Sequence, residues 1–137
     1  MLDYTGAPEI DVISHSMGVT LARRVLKGGV VINSAEQYYI GEPLTNKVRT
    51  FIGIAGVNRG ANACIEPWSY NLRGCNDIDG FWPGREVDGQ QIEMSQFLTE
   101  LNTDPIREAK HTVAMLSYAD NPYVYGRFRA EWDFTMD

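Results

Sequence analysis

The sequence predicts an α/β fold, a parallel sheet flanked by helices, from three observations. Three apolar, β-rich runs stand at 10–13 (IDVI), 48–55 (VRTFIGIA) and 111–118 (HTVAMLSY). Helical patterns lie at 17–27 and 91–102. The order is strand, helix, strand, helix, strand, and parallel strands need such crossovers.

The strand at 10–13 is nearly continuous in apolar character and ends at Ser14. The helix follows at once. Met17, Leu21 and Val25 recur every fourth position, flanked by Ala22 and Leu26, which predicts that they form its buried face. Arg23, Arg24 and Lys27 fall where they complement the helix dipole, and Gly28-Gly29 stops the helix. The runs at 48–55 and 111–118 read as strands buried on both faces. They are followed by turn formers, Gly56 and Asp120-Asn121-Pro122. The second helix has Ile92, Phe97, Leu98 and Leu101 as its apolar face, with a break at Asn102-Thr103-Asp104-Pro105 and a short turn restarting toward Lys110. Long loops remain at 30–47 and 56–90, and loops of that length in compact domains are functional or disordered.

The composition closes off several classes of function. With 12 basic against 18 acidic residues the formal charge is −6, and the densest basic cluster is Arg23, Arg24 and Lys27. Nucleic acid needs a concentrated positive surface, so it is not an expected partner. No apolar run reaches a membrane span, so no transmembrane segment is expected. The first ten residues lack the basic and apolar regions of a signal peptide. Cys64 and Cys75 are consistent with one disulfide of roughly 3 kcal/mol in an oxidising compartment, or with two free thiols. Without a matching His or Cys pair they make a poor zinc site, so no metal is expected.

The chemistry concentrates at the first strand–helix corner. Ser14-His15-Ser16-Met17-Gly18 follows the nucleophile-elbow pattern G-x-S-x-G, with Ser14 replacing the first glycine. Small residues at 14 and 18 are expected because strand and helix pack closely there. The elbow holds its serine in strained backbone geometry, and the backbone N–H of Met17 becomes one oxyanion donor at the helix N-terminus. The alternative is that Ser14 caps the helix and Ser16 lies in its first turn. The strand before and the helix after favour the elbow.

His15 is adjacent to Ser16 and badly placed to take its proton in line, so it reads as a packed or hydrogen-bonded structural residue. His111 opens a strand, which puts it at the edge opposite the site, and it too reads as structural. Asp120, just past the third strand, is the best candidate for the acid that orients a histidine. The alternative is an Asx-turn aspartate before Asn-Pro. In the order Ser, Asp, His of the α/β-hydrolases the histidine should follow Asp120, and none does. The strands before an elbow also have no room ahead of residue 10. The expectation is therefore a single partial α/β-hydrolase domain over 1–137, the middle of a larger enzyme.

Four segments, YTGAPEIDVISHSMGVTLARRVLKGG, GEPLTNKVRTFIGIAGVNRG, CNDIDGFWPG and SQFLTELN, together resemble the nematode-type class 2 lipases, relatives of the bacterial EstA/EstB-like lipases. The resemblance covers residues 2–125. It implies a secreted α/β-hydrolase that cleaves carboxylic esters of lipids at a transient lipid–water interface, with no cofactor. By position, Ser16 aligns with the family's nucleophile and Asp120 with its acid, while Cys64 and Cys75 resemble its paired loop cysteines. The family's catalytic histidine lies C-terminal to everything in this sequence. In the loop over 65–83, Trp68, Tyr70, Leu72, Phe81 and Trp82 either line an acyl pocket or flap, or pack the loop onto the body, the second being preferred.

Two other readings stand beside the ester hydrolase. One is a truncated, catalytically dead protein of the same fold that binds lipid or a partner. The other, an intracellular α/β binding domain, lacks support, because Gly56-Val57-Asn58-Arg59-Gly60 matches neither the Walker nor the dinucleotide spacing.

Overall fold

A computed structural model of the chain describes residues 2–33, 35–69, 71–88 and 90–117. In chain order the elements are α1 (Leu2–Thr5), β1 (Ile10–His15), α2 (Met17–Lys27), β2 (Val30–Ile32), β3 (Gln37–Tyr39), β4 (Val48–Ile54), β5 (Arg85–Val87), β6 (Gln90–Ile92), α3 (Gln96–Thr103) and β7 (His111–Met115). The three apolar runs form one parallel sheet in the order β1-β4-β7. Each connection between them carries a helix, as a parallel sheet requires.

Pairing runs from Ile10 with Val48 to His15 with Ile54, and from Thr50 with His111 to Ile54 with Met115. Side chains alternate across a sheet, so paired residues share a face. One face is covered by α2. There Val19 and Leu26 of the helix close on Val48 and Phe51 of the central strand and on Ala109, with Ile10, Val12 and Ala22 at the margin. Burying a side chain the size of Phe51 contributes about 2–3 kcal/mol.

The expectation of strands buried on both faces is corrected here. On the second face Ile13 is 67% exposed, and Val113 and Met115 are exposed beside it. Among the described residues no helix covers that face. An apolar run identifies a strand meant for burial but does not supply the layer that buries it.

The buried face of α2 is also not the expected one. Met17, Leu21 and Val25 are each more than half exposed, whereas Val19, Thr20, Leu26 and Lys27 are buried. Polar partners account for the reversal. Thr20 Oγ1 donates to Asn58 Oδ1 at 3.0 Å, and Arg23 Nε lies 2.8 Å from Glu108 Oε1. Lys27 Nζ donates to the carbonyl of Asp104 at 2.9 Å and to that of Ile106, with Glu108 Oε1 3.7 Å away. Buried polar groups with partners cost little, and hydropathy periodicity cannot register such partners.

The second helix starts later than the expected residue 91. Residues 90–92 form β6, paired antiparallel with β5, and Ser95 caps α3 by accepting from the Leu98 N–H. The helix ends at Thr103, and no helix restarts before Lys110. Phe97, Leu98 and Leu101 are buried as expected, but against Phe81 and Met94 of the preceding loop, in a second small core. The rings of Phe81 and Phe97 meet edge to face at 6.1 Å.

Candidate active site

The corner between β1 and α2 is one residue wide. Strand β1 ends at His15, α2 begins at Met17, and Ser16 alone makes the turn. Its backbone is left-handed, with φ 55° and ψ −132°. A non-glycine residue there carries strain of order 1–3 kcal/mol, and the surrounding structure must enforce it. Two bonds do so. The Ser16 N–H donates to the Ile54 carbonyl at 2.9 Å, and the Ser16 carbonyl accepts from the Val19 N–H at 3.0 Å.

Ser16 occupies the N-cap position of α2, yet its side chain makes no capping bond. Ser14 lies inside β1, paired with Gly53, so it is not the helix cap either. Met17 is the first helical residue, where an α-helix leaves the backbone N–H without an intrahelical acceptor.

Packing under the corner is set by glycines outside the pentapeptide. A Cβ added to Gly53 would stand 2.8 Å from Cγ1 of Val19, and one added to Gly56 would stand 2.7 Å from it. These two glycines let the first turn of α2 sit directly on β4. The expected need for a small residue at 18 is corrected, since a Cβ on Gly18 would meet nothing within 4 Å. A small, partly open cleft beneath α2 is lined by Val19, Phe51, Gly53 and Asn58 among others, and Ser16 is not part of it.

The two histidines stand apart from the serine hydroxyl in different ways. His15 lies on the second sheet face with Asp11 and Ile13 and is exposed, not packed as expected. His111 pairs with Thr50 at the amino end of β7, about 13 Å along the strand from Met115 at the carboxyl end. A hydroxyl proton is transferred over about 3 Å, so His111 cannot serve Ser16. Asp120 and Tyr70 lie outside the described residues.

Cys64 and Cys75 are joined in a disulfide, with their Cα atoms 5.0 Å apart. Among the described residues no cluster of three or more His, Cys, Asp and Glu side chains is suited to hold a metal, and no helix is long and apolar enough to cross a membrane.

Behind the corner lies a polar girdle that the sequence reading missed. Asn58 accepts from Thr20, and its carbonyl accepts from Asn102 Nδ2 at 2.7 Å. Arg23 Nη1 in turn donates to Asn102 Oδ1 at 2.9 Å. This chain of bonds ties α2 to the loop after β4 and to the end of α3. Burial pushes the Lys27 ammonium below the ordinary lysine value, and the Glu108 carboxylate opposes that shift. Scattered Asn, Thr and Arg residues carry no periodic signal, so only the folded chain brings these groups together.

A family model described as Lipase (class 2) matches residues 1–133. Neither the curated proteins nor the solved structures match this chain.

Proposed function

From the premise that the chain belongs to the class 2 lipase family, we propose that it is a serine ester hydrolase of nematode type, acting on carboxylic esters of lipids through Ser16. The observation that carries the reading is the left-handed backbone of Ser16 between a parallel strand and a helix, φ 55° and ψ −132°. A strained serine at the turn from a parallel strand into a helix is the geometry of a nucleophile elbow.

In this mechanism Ser16 Oγ attacks the ester carbonyl while a histidine takes its proton. The oxyanion is held by the Met17 N–H and a second donor. The histidine returns the proton to the leaving alkoxide, the C–O bond breaks, and the acyl group stays on Ser16. Water, deprotonated by the same histidine, then attacks the acyl-enzyme and releases the fatty acid. Asp120 orients that histidine. Neither His15 nor His111 fits the role. The Cys64–Cys75 disulfide supports secretion.

The placement of both histidines favours one second reading, a non-catalytic protein of this fold that binds lipid or a partner. Hydrolysis of a soluble short-chain ester by the full-length protein separates the two. The hydrolase reading expects turnover that falls about a thousandfold or more in Ser16→Ala with the melting temperature unchanged. Turnover retained in Ser16→Ala excludes Ser16 as nucleophile, and no turnover in the native protein supports the second reading.

A further inference from the structure

Ser16 stands in a closed circuit made of two hydrogen bonds and two short pieces of chain. Its N–H donates to the Ile54 carbonyl at 2.9 Å. The chain then runs from Ile54 to Asn58, whose Oδ1 accepts from Thr20 Oγ1 at 3.0 Å. Thr20 lies about one turn of α2 beyond Ser16, so the helix returns the circuit to the serine. Both ends of the Thr20–Asn58 bond are out of solvent, Thr20 at 0% and Asn58 at 2% exposure.

Ala55 and Gly56 let the chain make this return. Ala55 leaves the strand through left-handed backbone, φ 49°. A Cβ on Gly56 would stand 2.7 Å from Val19 Cγ1 and 2.9 Å from Asn58 Nδ2. Asn58 is also fixed from behind, since its carbonyl accepts from Asn102 Nδ2 at 2.7 Å. Its own Nδ2 has no hydrogen-bond partner among the described residues, so the side chain is held through its oxygen. A buried amide with an unused donor costs stability, which marks the oxygen as the part that serves. Beyond Gly60 the loop packs elsewhere. Phe81 meets α3, whereas Trp68 and Leu72 are exposed and not packed as expected.

We infer that Asn58 is a positioning residue for Ser16, acting through Thr20 on the first turn of α2. Apolar contact is non-directional and lets a helix slide along a sheet, whereas a hydrogen bond fixes distance and direction together. That first turn carries the serine at its cap and the Met17 N–H, so sliding would move nucleophile and oxyanion donor together relative to a bound ester. A misplacement of about 1 Å costs on the order of a hundredfold in rate. The catalytic consequence rests on the ester-hydrolase reading, but the holding of the corner does not.

A paired substitution in the full-length protein separates positioning from mere packing. Thr20→Val or Asn58→Leu alone leaves a buried polar partner unpaired. The two together replace both groups by apolar ones of similar shape, and stability is expected to return close to native. With a soluble short-chain ester, kcat of this double variant is expected to stay about tenfold low at unchanged KM. Exchange of the Ser16 N–H with solvent, followed by NMR, is expected to be about tenfold faster than in the native protein. Thr20→Ser keeps the hydroxyl and is expected to retain native kcat and exchange. Should the double variant not fold, Thr20→Val against Thr20→Ser carries the same comparison. Recovery of kcat along with stability, or unchanged Ser16 exchange, overturns the proposal. No turnover by the native protein would be failure of the hydrolase reading instead. The Ser16 exchange rate then decides alone, faster exchange upholding the positioning and unchanged exchange overturning it.

Discussion

Ser16 donates its backbone N–H to the carbonyl of Ile54 at 2.9 Å, which bonds the strained corner into the last rung of the central strand. The residue that follows that strand, Ala55, is left-handed as well, with φ 49° against 55° for Ser16. Its own N–H donates to the Met115 carbonyl at 2.9 Å, so all three strands end in a bonded row at the same edge. The strain at Ser16 is therefore enforced by the sheet and not only by its own turn.

Relieving that strain should raise stability while removing function. Ser16→Gly is expected to raise the unfolding free energy by about 1 kcal/mol, because glycine adopts this backbone without a Cβ penalty. Urea denaturation would read the gain, and a loss of stability would show that the serine side chain holds the corner.

Two glycines, Gly53 under α2 and Gly18 within it, should respond in opposite senses. Gly53→Ala places a methyl 2.8 Å from Val19 Cγ1 and is expected to cost about 1–3 kcal/mol, with partial recovery in Val19→Ala. Gly18→Ala lies in the helix with open space around it and is expected to gain up to about 1 kcal/mol. Thermal melts of the three variants check both signs.

Glu108 is the carboxylate that half-buried Arg23 and buried Lys27 share. Glu108→Ala leaves both charges without it and is expected to cost about 3–5 kcal/mol. Equilibrium denaturation should show this loss, and a change under about 1 kcal/mol would mean that the carbonyls of Asp104 and Ile106 satisfy Lys27 alone.

The pH dependence of Lys27 has a definite sign. Its folded value is depressed by burial, so between that value and the ordinary lysine value the unfolded chain binds more protons. Stability contributed at this site therefore rises as pH climbs through that window, and the cost of burying the charge is fully present below it. Relative to Lys27→Met, the native protein should gain stability in the alkaline range. Parallel pH profiles for the two would contradict the assignment.

The parts of the fold legible in sequence were those written as long apolar runs. The three strands and α2 stand where IDVI, VRTFIGIA, HTVAMLSY and the helix over 17–27 predict them, except that β7 ends at Met115, short of the end of its run. The hairpins β2–β3 and β5–β6 were not legible, because strands of three residues are too short to display a period. The inward face of α2 was misread because hydropathy ranks Met17, Leu21 and Val25 above Thr20, Arg23 and Lys27. The bonds to Asn58 and Glu108 reverse that ranking. At the site, the turn at Ser16 was legible from Ser14-His15-Ser16-Met17-Gly18 in its strand–helix context. Its support by Ile54, Gly53 and Gly56 was not, since those residues meet it only across the sheet.

The central claim is that Ser16 is an activated nucleophile. The most direct measurement is labelling of the full-length protein with a fluorophosphonate, followed by mass spectrometry of its peptides. A phosphonyl adduct on the peptide holding Ser16, absent from Ser16→Ala, is the predicted result. No adduct, or an adduct on another serine that survives in Ser16→Ala, would contradict it.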